Sequence, residues 1–222
     1  MGVRKLVDDL FEPWRNRYQN WKHRKPLPYK YGNVEVNVIP GVFSPLREYS
    51  SSMFLDYIQY LDLNQKTVLE LGCGSGIVSA YCADKGALVT ASDINENALQ
   101  ELSIHSRDNN WNIIAVYSNL FENLHFHFDF ILINPPYKQG VGIDMYEKSY
   151  YAGDNFEFFE SLFAQLKVRT LRDTEVLLFL PEEAELFAIC RRAKMHHLTL
   201  KTLKVLHSGN KSGKVYRVVN AV

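Results

Sequence analysis

The segment I-L-I-N-P-P-Y-K, residues 131–138, ends an apolar run with an amide, two prolines and a phenol. Prolines lack a backbone N–H and keep Asn134 out of the helical conformation, so a stiff turn is the simplest interpretation. The Asn134 side-chain oxygen and the Pro135 carbonyl are also suited to accept hydrogen bonds from a planar nitrogen. Tyr137, expected to be exposed, offers that group a flat face. The segment therefore predicts a strand end that binds an amide or amino group.

A glycine-rich turn, E-L-G-C-G-S-G at residues 70–76, follows one apolar strand and opens a helix. Glycines allow close backbone approach to a ligand that side chains would block. Asp93 closes the next predicted strand, where a carboxylate meets ribose hydroxyls in doubly wound folds. A lone Gly-x-Gly-x-Gly is more often an ordinary turn, but this context favours binding of a nucleoside cofactor.

The charge near the turn discriminates between cofactors. Ile77 stands where a pyrophosphate-binding turn has its third glycine, and Glu70 places a carboxylate two residues before the first. A carboxylate repels a pyrophosphate and attracts an ammonium group. S-adenosylmethionine has ribose, adenine, an amino group and a sulfonium but no phosphate, so it is favoured over a dinucleotide.

Strands and helices alternate around these motifs. Strands are predicted at 67–71, 87–92, 113–117, 128–133, 175–180, 200–206 and 214–219, and helices at 46–61, 77–85, 95–108, 156–168 and 182–193. This pattern predicts an α/β fold with a Rossmann-like, doubly wound, seven-stranded sheet that is mostly parallel, its last strand antiparallel. Both motifs fall at carboxyl ends of strands and should face one crevice. Residues 1–45 are expected to form a helical and strand extension, and residues 46–222 the main domain. Within the extension, residues 4–23 are predicted to be helical, and residues 33–38 are predicted to form a strand with Val34, Val36 and Val38 on its buried side.

Composition excludes several other functions. The net charge is +0, so it indicates neither nucleic acid nor membrane as a partner. The three cysteines suggest neither a disulfide framework nor a zinc site, and the histidine pairs 125/127 and 196/197 lack further ligands at metal-binding spacing, so no metal is expected. With no apolar stretch of membrane-spanning length, the sequence predicts a cytoplasmic protein.

Three motifs in order carry a family resemblance: E-L-G-C-G-S-G, D-I-N at 93–95 and N-P-P-Y at 134–137. Together they resemble the class I S-adenosylmethionine-dependent methyltransferases that act on planar amino groups, across about residues 40–222. The resemblance implies an N-methyltransferase in which Asn134, Pro135 and Tyr137 are catalytic. It implies a cofactor site formed by Glu70, Gly72, Cys73, Gly74, Gly76, Asp93, Ile94, Asn119, Leu120 and Asn134. Many relatives have an aspartate where Asn119 stands.

The methyl acceptor stays open between protein and RNA. V-I-P-G-V-F-S-P at 38–45 is similar to the small-domain subfamily that includes ribosomal-RNA guanine methyltransferases, whereas Y-Y-A-G-D-N at 150–155 is similar to protein-glutamine methyltransferases. The expectation is tilted to a protein glutamine, with adenine or guanine in RNA as the alternative. A basic aromatic stripe, Trp14, Tyr18 and Trp21, either packs on the body or recruits RNA. A dinucleotide-dependent oxidoreductase and a non-catalytic nucleoside-binding fold are the alternatives of a different class.

Overall fold

The computed structural model describes residues 25–46, 48–168 and 173–221. The predicted helix over residues 4–23 and its aromatic stripe lie outside them. The described strands are β1 (Leu27–Tyr31), β2 (Val34–Val38), β3 (Thr67–Leu71), β4 (Leu88–Asp93), β5 (Ile113–Tyr117), β6 (Phe130–Ile133), β7 (Glu175–Pro181), β8 (Leu198–Ser208) and β9 (Lys211–Asn220). The helices are α1 (Ser50–Ile58), α2 (Ile77–Asp84), α3 (Glu96–Asp108), α4 (Met145–Lys148), α5 (Glu157–Lys167) and α6 (Leu186–Met195).

Seven of the strands form one sheet in the order β5-β4-β3-β6-β7-β9-β8. The strands β3 to β7 pair in parallel, and β9 is antiparallel to both β7 and β8. The chain builds outward from β3 through β4 to β5, then returns to the other side of β3 with β6. This reversal makes the carboxyl ends of β3 and β6 the switch point, where ligands bind in open α/β sheets. The predicted fold class is confirmed.

Alternating side chains of the central strands fill two cores, one on each face of the sheet. Leu69, Ile131 and Leu178 belong to the core beneath α5 and α6. Their neighbours Val68 and Leu177 belong to the core beneath α1 and α2. Because successive strand residues point to opposite faces, a strand covered on both sides is apolar on both, which explains the uninterrupted apolar runs of β6 and of β7 from Val176 to Leu180. The apolar run of β3 is interrupted by Glu70.

The N-terminal part adds a separate two-stranded sheet of β1 and β2. In β2 the predicted buried side is confirmed: Val34, Val36 and Val38 are buried, and Val34 and Val36 pack in the core that contains α1 and α2. Strand β1 was not predicted, because L-P-Y-K-Y contains a proline and lies on an outer edge, where proline is tolerated. The division into an extension and a main domain at residue 45 stays a prediction.

Two predicted helices are shorter than expected at their amino ends. The helix predicted from residue 46 begins at Ser50, and the helix predicted from residue 182 begins at Leu186. In the second case the Glu182 backbone N–H donates to the Ser212 carbonyl at 3.0 Å, which holds the start of the segment against the β8–β9 hairpin. No helix within the described ranges combines the length and apolarity needed to cross a bilayer.

Candidate functional site

A crevice opens at the switch point, above the carboxyl ends of β3, β4 and β6. It brings together every predicted site residue except Gly76. Its lining includes Phe43, Ser50, Ser51, Glu70, Gly72, Cys73, Gly74, Asp93, Ile94, Asn119, Leu120, Asn134, Pro135 and Tyr137. Gly76 lies instead at the N-terminus of α2, with φ of 73°. The two motifs that the sequence analysis singled out therefore do face the same space.

The glycine turn is hydrogen-bonded to the end of β4. The backbone N–H groups of Gly72 and Cys73 donate to the Ser92 carbonyl at 2.8 and 2.9 Å. The Gly74 N–H donates to the Asp93 carboxylate at 2.8 Å, and Gly72 and Gly74 both have positive φ. Glycine is required here because the left-handed conformation is costly for residues with a Cβ. Burial raises the pKa of Asp93, whereas its backbone hydrogen bonds oppose that rise.

Glu70 is buried and lines the crevice, and one of its carboxylate oxygens accepts hydrogen bonds. Its Oε2 accepts hydrogen bonds from the backbone N–H of Ser79, at 2.8 Å, and from the Ser79 hydroxyl. The other oxygen, Oε1, accepts no hydrogen bond from the described residues. Burial raises the pKa of Glu70 to about 8, because the Ser79 hydrogen bonds only partly offset the loss of solvent around the carboxylate. A cation arriving at Oε1 would stabilise the charged form.

The Asn134 side chain contacts helix α1, although the two are 84 residues apart in the chain. Its side-chain amide Nδ2 donates to the hydroxyl oxygens of Ser50, at 3.1 Å, and Ser51, at 3.4 Å. Both serines are buried, 4% and 5% exposed. With both N–H groups directed to the serines, the amide oxygen Oδ1 is left as the free acceptor. Neither Oδ1 nor the Pro135 carbonyl accepts a hydrogen bond within the described part of the chain.

Aromatic rings wall the acceptor end of the crevice. The expectation that Tyr137 is exposed is wrong: it is 8% exposed and packs in the core beneath α5. Its backbone N–H donates to the Tyr150 carbonyl at 3.2 Å, so the segment after N-P-P-Y folds back over the ring. Tyr150 in turn packs on Phe43 and Tyr146, with centroids 5.2 and 5.1 Å apart. Tyr137 therefore forms a wall of the pocket and is not a rim residue.

The crevice lining also includes Ile94, Asn119 and Leu120, which the resemblance assigns to the cofactor site. Leu120 is buried with φ of 50°, and Ile94 is partly exposed. The Asn119 side-chain amide donates to Glu122 at 2.9 Å, which leaves its carbonyl oxygen as an acceptor. An acceptor at this position can bind an exocyclic amine.

Sequence reasoning missed Ser50, Ser51 and Phe43 as site residues. The only signal was the run S-S-S at the start of a predicted helix, a pattern that usually indicates helix capping. The N-terminus of α1 has no side-chain cap, so these hydroxyls are available for Asn134. Burial raises the pKa of Cys73 well above that of a free thiol, which argues against a nucleophilic role. No cluster of metal-ligating side chains occurs among the residues that the structure describes.

Comparison with known proteins identifies the family. The methyltransferase small domain family matches residues 33–148, just over half of the 222 residues. The chain belongs to this family. The resemblance that the motifs indicated is therefore confirmed, as are the methyltransferase class and S-adenosylmethionine as the family's cofactor.

The names of two curated relatives refer to different kinds of substrate. The chain is 38% identical over 105 residues to a protein of Methanocaldococcus jannaschii provisionally named a protein N5-glutamine methyltransferase, covering 47% of this chain and 51% of that one. It is 36% identical over 110 residues to a ribosomal RNA small subunit methyltransferase C of Buchnera aphidicola, covering 48% and 34%. The matched part of the chain spans about half of the length of the first relative and about a third of the length of the second.

Solved structures show the same fold at low sequence identity. The Thermus thermophilus 16S rRNA N2 G1207 methyltransferase in complex with AdoMet and guanosine aligns with a TM-score of 0.60 and 18% identity, over 89% of this chain and 50% of that one. The Encephalitozoon cuniculi Mtq2–Trm112 complex, which methylates the termination factor eRF1, aligns with a TM-score of 0.61 and 17% identity, over 82% and 99%.

Proposed function

We propose that this protein transfers a methyl group from S-adenosylmethionine to the side-chain amide nitrogen of a protein glutamine. The observation that carries the proposal is the pairing of two free acceptors, Asn134 Oδ1 and the Pro135 carbonyl, with the glycine turn across one crevice. The acceptors suit a nitrogen that carries two N–H bonds. The turn suits a phosphate-free nucleoside with an ammonium group.

The residues present fit the cofactor by charge and by shape. Glu70 Oε1 is available to the ammonium of the methionine portion, and Gly72 allows close approach because a Cβ added there would meet nothing but open space. Asp93 reaches the crevice at the end of β4, where ribose hydroxyls can donate to it. Asn119 offers its carbonyl oxygen to the adenine amine. When bound, the cofactor supplies a methyl group on a positively charged sulfur.

The chain's own residues would prepare the nitrogen. An amide nitrogen resists alkylation because its lone pair is delocalised, and two acceptors on its N–H bonds can rotate the group so that the lone pair points at the methyl carbon. Attack by this lone pair on the methyl carbon would form the N–C bond and leave the electron pair of the C–S bond on sulfur, and one N–H proton would then pass to solvent. Positive charge develops on the nitrogen, so two fixed carbonyl dipoles stabilise the transition state more than the ground state.

Charge around the mouth favours a polypeptide over RNA. The charged side chains that line the crevice, among the described residues, are Glu70, Asp93 and Lys148. RNA binding rests on phosphate neutralisation by cations, and this lining holds two carboxylates and one ammonium. A glutamine side chain has no phosphate to be repelled.

Methyl transfer into a cell extract tests the proposal. The purified chain and tritiated S-adenosylmethionine are incubated with extract, and the labelled product is divided between protease and ribonuclease treatment. We expect protease to release the label, and the labelled residue to be N5-methylglutamine after complete proteolysis. Label lost only to ribonuclease would replace the glutamine with an RNA base.

Two variants distinguish methyl transfer by this protein from transfer by a contaminating enzyme. Asn134→Ala removes one of the two acceptors, and we expect transfer to fall by about 10²-fold or more, on the scale of losing one preorganised dipole in an oxyanion-type site. Asn64→Ala, a change outside the crevice lining, should retain the wild-type rate. Equal rates for the wild type and Asn134→Ala would refute the assigned role of N-P-P-Y.

A further inference from the structure

The crevice lining places one cation, Lys148, beside two carboxylates. Glu70 and Asp93 are the acidic side chains of the lining, and Lys148 is its basic side chain, among the described residues. S-adenosylmethionine carries positive charge on its sulfur and amino group and negative charge on the carboxylate of its methionine portion. Glu70 suits the ammonium and Asp93 suits the ribose. The carboxylate also needs a partner, because a charge that leaves water costs free energy unless a complementary group receives it.

The glycine turn offers little to this carboxylate. The turn before a helix often binds anions through free backbone N–H groups. Here several of these groups already donate within the protein, namely those of Gly72, Cys73, Gly74 and Gly76. The carboxylates of Glu70 and Asp93 would in addition repel an anion, and the serine side chains of the lining are neutral. A cation from outside the turn is therefore better suited to hold the carboxylate.

The Lys148 ammonium is available for such a contact. Lys148 is exposed, and its ammonium has no carboxylate partner among the described residues. Two acids close to it in the chain are engaged with backbone groups: Asp144 accepts from the Glu147 N–H at 2.8 Å, and Glu147 accepts from the Ile143 N–H at 2.8 Å. A lysine ammonium only donates hydrogen bonds, so its preference for an anion does not depend on how the side chain is turned.

The segment that carries Lys148 contacts both walls of the crevice. The Tyr137 backbone N–H donates to the Tyr150 carbonyl at 3.2 Å, which joins the end of α4 to N-P-P-Y. Tyr150 packs on Phe43 with ring centroids 5.2 Å apart. The Phe43 Cβ in turn lies 3.8 Å from the position that a Cβ at Gly74 would take. Helix α4 therefore lies between the glycine turn and N-P-P-Y, the two features between which the methionine portion of the cofactor must extend.

We propose that Lys148 binds the carboxylate of the methionine portion of S-adenosylmethionine, while Glu70 receives its ammonium. This role rests on the proposed placement of the cofactor across the crevice and not on which acceptor is methylated. The amino and carboxylate groups are bonded to the same carbon. Partners of opposite charge on these two groups therefore orient that carbon, and with it the chain that leads to the sulfur.

Calorimetry with two ligands tests this role in the full chain. S-adenosylhomocysteine carries the carboxylate, whereas its decarboxylated analogue keeps the amino group and has a hydrogen in place of the carboxylate. Lys148→Met removes the charge and keeps a long, unbranched side chain. We expect it to lower the affinity for S-adenosylhomocysteine by about tenfold, on the scale of one charge-assisted hydrogen bond, and the affinity for the analogue by less than about twofold. Lys148→Arg keeps the charge and should stay within about threefold of the wild-type affinity for both ligands.

A matched control and a ratio separate the contact from an effect on folding. Lys201→Met changes an exposed lysine of β8 outside the crevice lining and should keep the wild-type affinity for both ligands. The decisive quantity is the ratio of the two affinities in each protein. A variant that is partly misfolded loses affinity for both ligands alike, whereas loss of the carboxylate contact shrinks the ratio, by about tenfold in Lys148→Met.

The possible results separate the role of Lys148 from the proposals around it. An unchanged affinity of Lys148→Met for S-adenosylhomocysteine would overturn the role, with or without a loss of methyl transfer, because another group then holds the carboxylate. An equal loss for both ligands would also overturn it, because Lys148 then supports the crevice as a whole. Absence of S-adenosylhomocysteine binding by the wild-type chain would contradict the placement of the cofactor itself. The expected ratios without label transfer to protein would leave the role of Lys148 supported and contradict the glutamine acceptor.

Discussion

Binding of S-adenosylmethionine should release a proton from Glu70. Burial raises the pKa of Glu70 to about 8, so at pH 7 about nine tenths of the molecules carry a protonated carboxyl group. The cofactor's amino group, with an α-amino pKa of about 7.7–8.0, is mostly charged at the same pH. An ion pair between Glu70 Oε1 and this ammonium retains one proton in all, so about 0.8 proton per site should leave on binding.

The same linkage sets the pH dependence of the affinity. Because the complex requires an ionised carboxyl and a charged amine, affinity should rise about eightfold from pH 6 to pH 7 and fall above about pH 8. The direction follows from Glu70: its raised pKa means that at lower pH more of the free protein must lose a proton before the ion pair can form. Above pH 8 the amine loses its own charge.

Calorimetry in buffers of different ionisation enthalpy measures the proton count directly. At pH 7 the slope of observed enthalpy against buffer enthalpy should correspond to about 0.8 proton for the wild type and should fall close to zero in Glu70→Gln. Glu35→Gln, which removes an exposed carboxylate outside the crevice lining, should retain the wild-type slope. A wild-type slope near zero, or an unchanged slope in Glu70→Gln, would refute the contact between Glu70 and the ammonium.

Two further predictions concern the turn and the adenine end. Gly76→Ala should lower the free energy of unfolding, measured in urea, by about 2–4 kcal/mol, because a Cβ there would lie 2.6 Å from Leu102 and φ is 73°. Gly209 is also left-handed but lies in open space, so Gly209→Ala should lower the free energy of unfolding by only about 1–2 kcal/mol. Glu122→Ala removes the hydrogen bond that holds the Asn119 amide, so the amide can turn. The ratio of the binding affinities for S-adenosylhomocysteine and its 6-oxo, inosine-based analogue should then shrink from about tenfold to about twofold. An unchanged ratio would exclude this positioning by Glu122.

Local patterns were sufficient to predict the sheet. T-V-L-E-L predicted β3 at its observed bounds, and residues 113–117 predicted β5 at its observed bounds, because short apolar runs between turn signals are typical of buried parallel strands. The glycine turn and N-P-P-Y were placed at strand ends by the same reasoning. The two motifs then met in space because the chain reverses at the switch point.

The side-chain environments within the site could not be predicted in the same way. The pattern around Glu70 predicted a carboxylate near the cofactor, but its hydrogen bonds to Ser79 depend on how the next helix packs on the strand. Tyr137 was expected to be exposed because it follows two prolines. It is buried because the segment up to Tyr150 folds back over it, a contact between residues that no local periodicity connects.

The environment of Asn134 illustrates the limit most clearly. Its type and position predict a hydrogen-bonding group at a strand end. Its side chain contacts Ser50 and Ser51, which lie 84 and 83 residues earlier in the chain. Helix α1 packs on the face of the sheet that carries Leu132 and Leu177, and this packing brings the two hydroxyls beside the end of β6. The contacts of Asn134 therefore depend on how a distant helix packs on the sheet, which no local pattern around N-P-P-Y reveals.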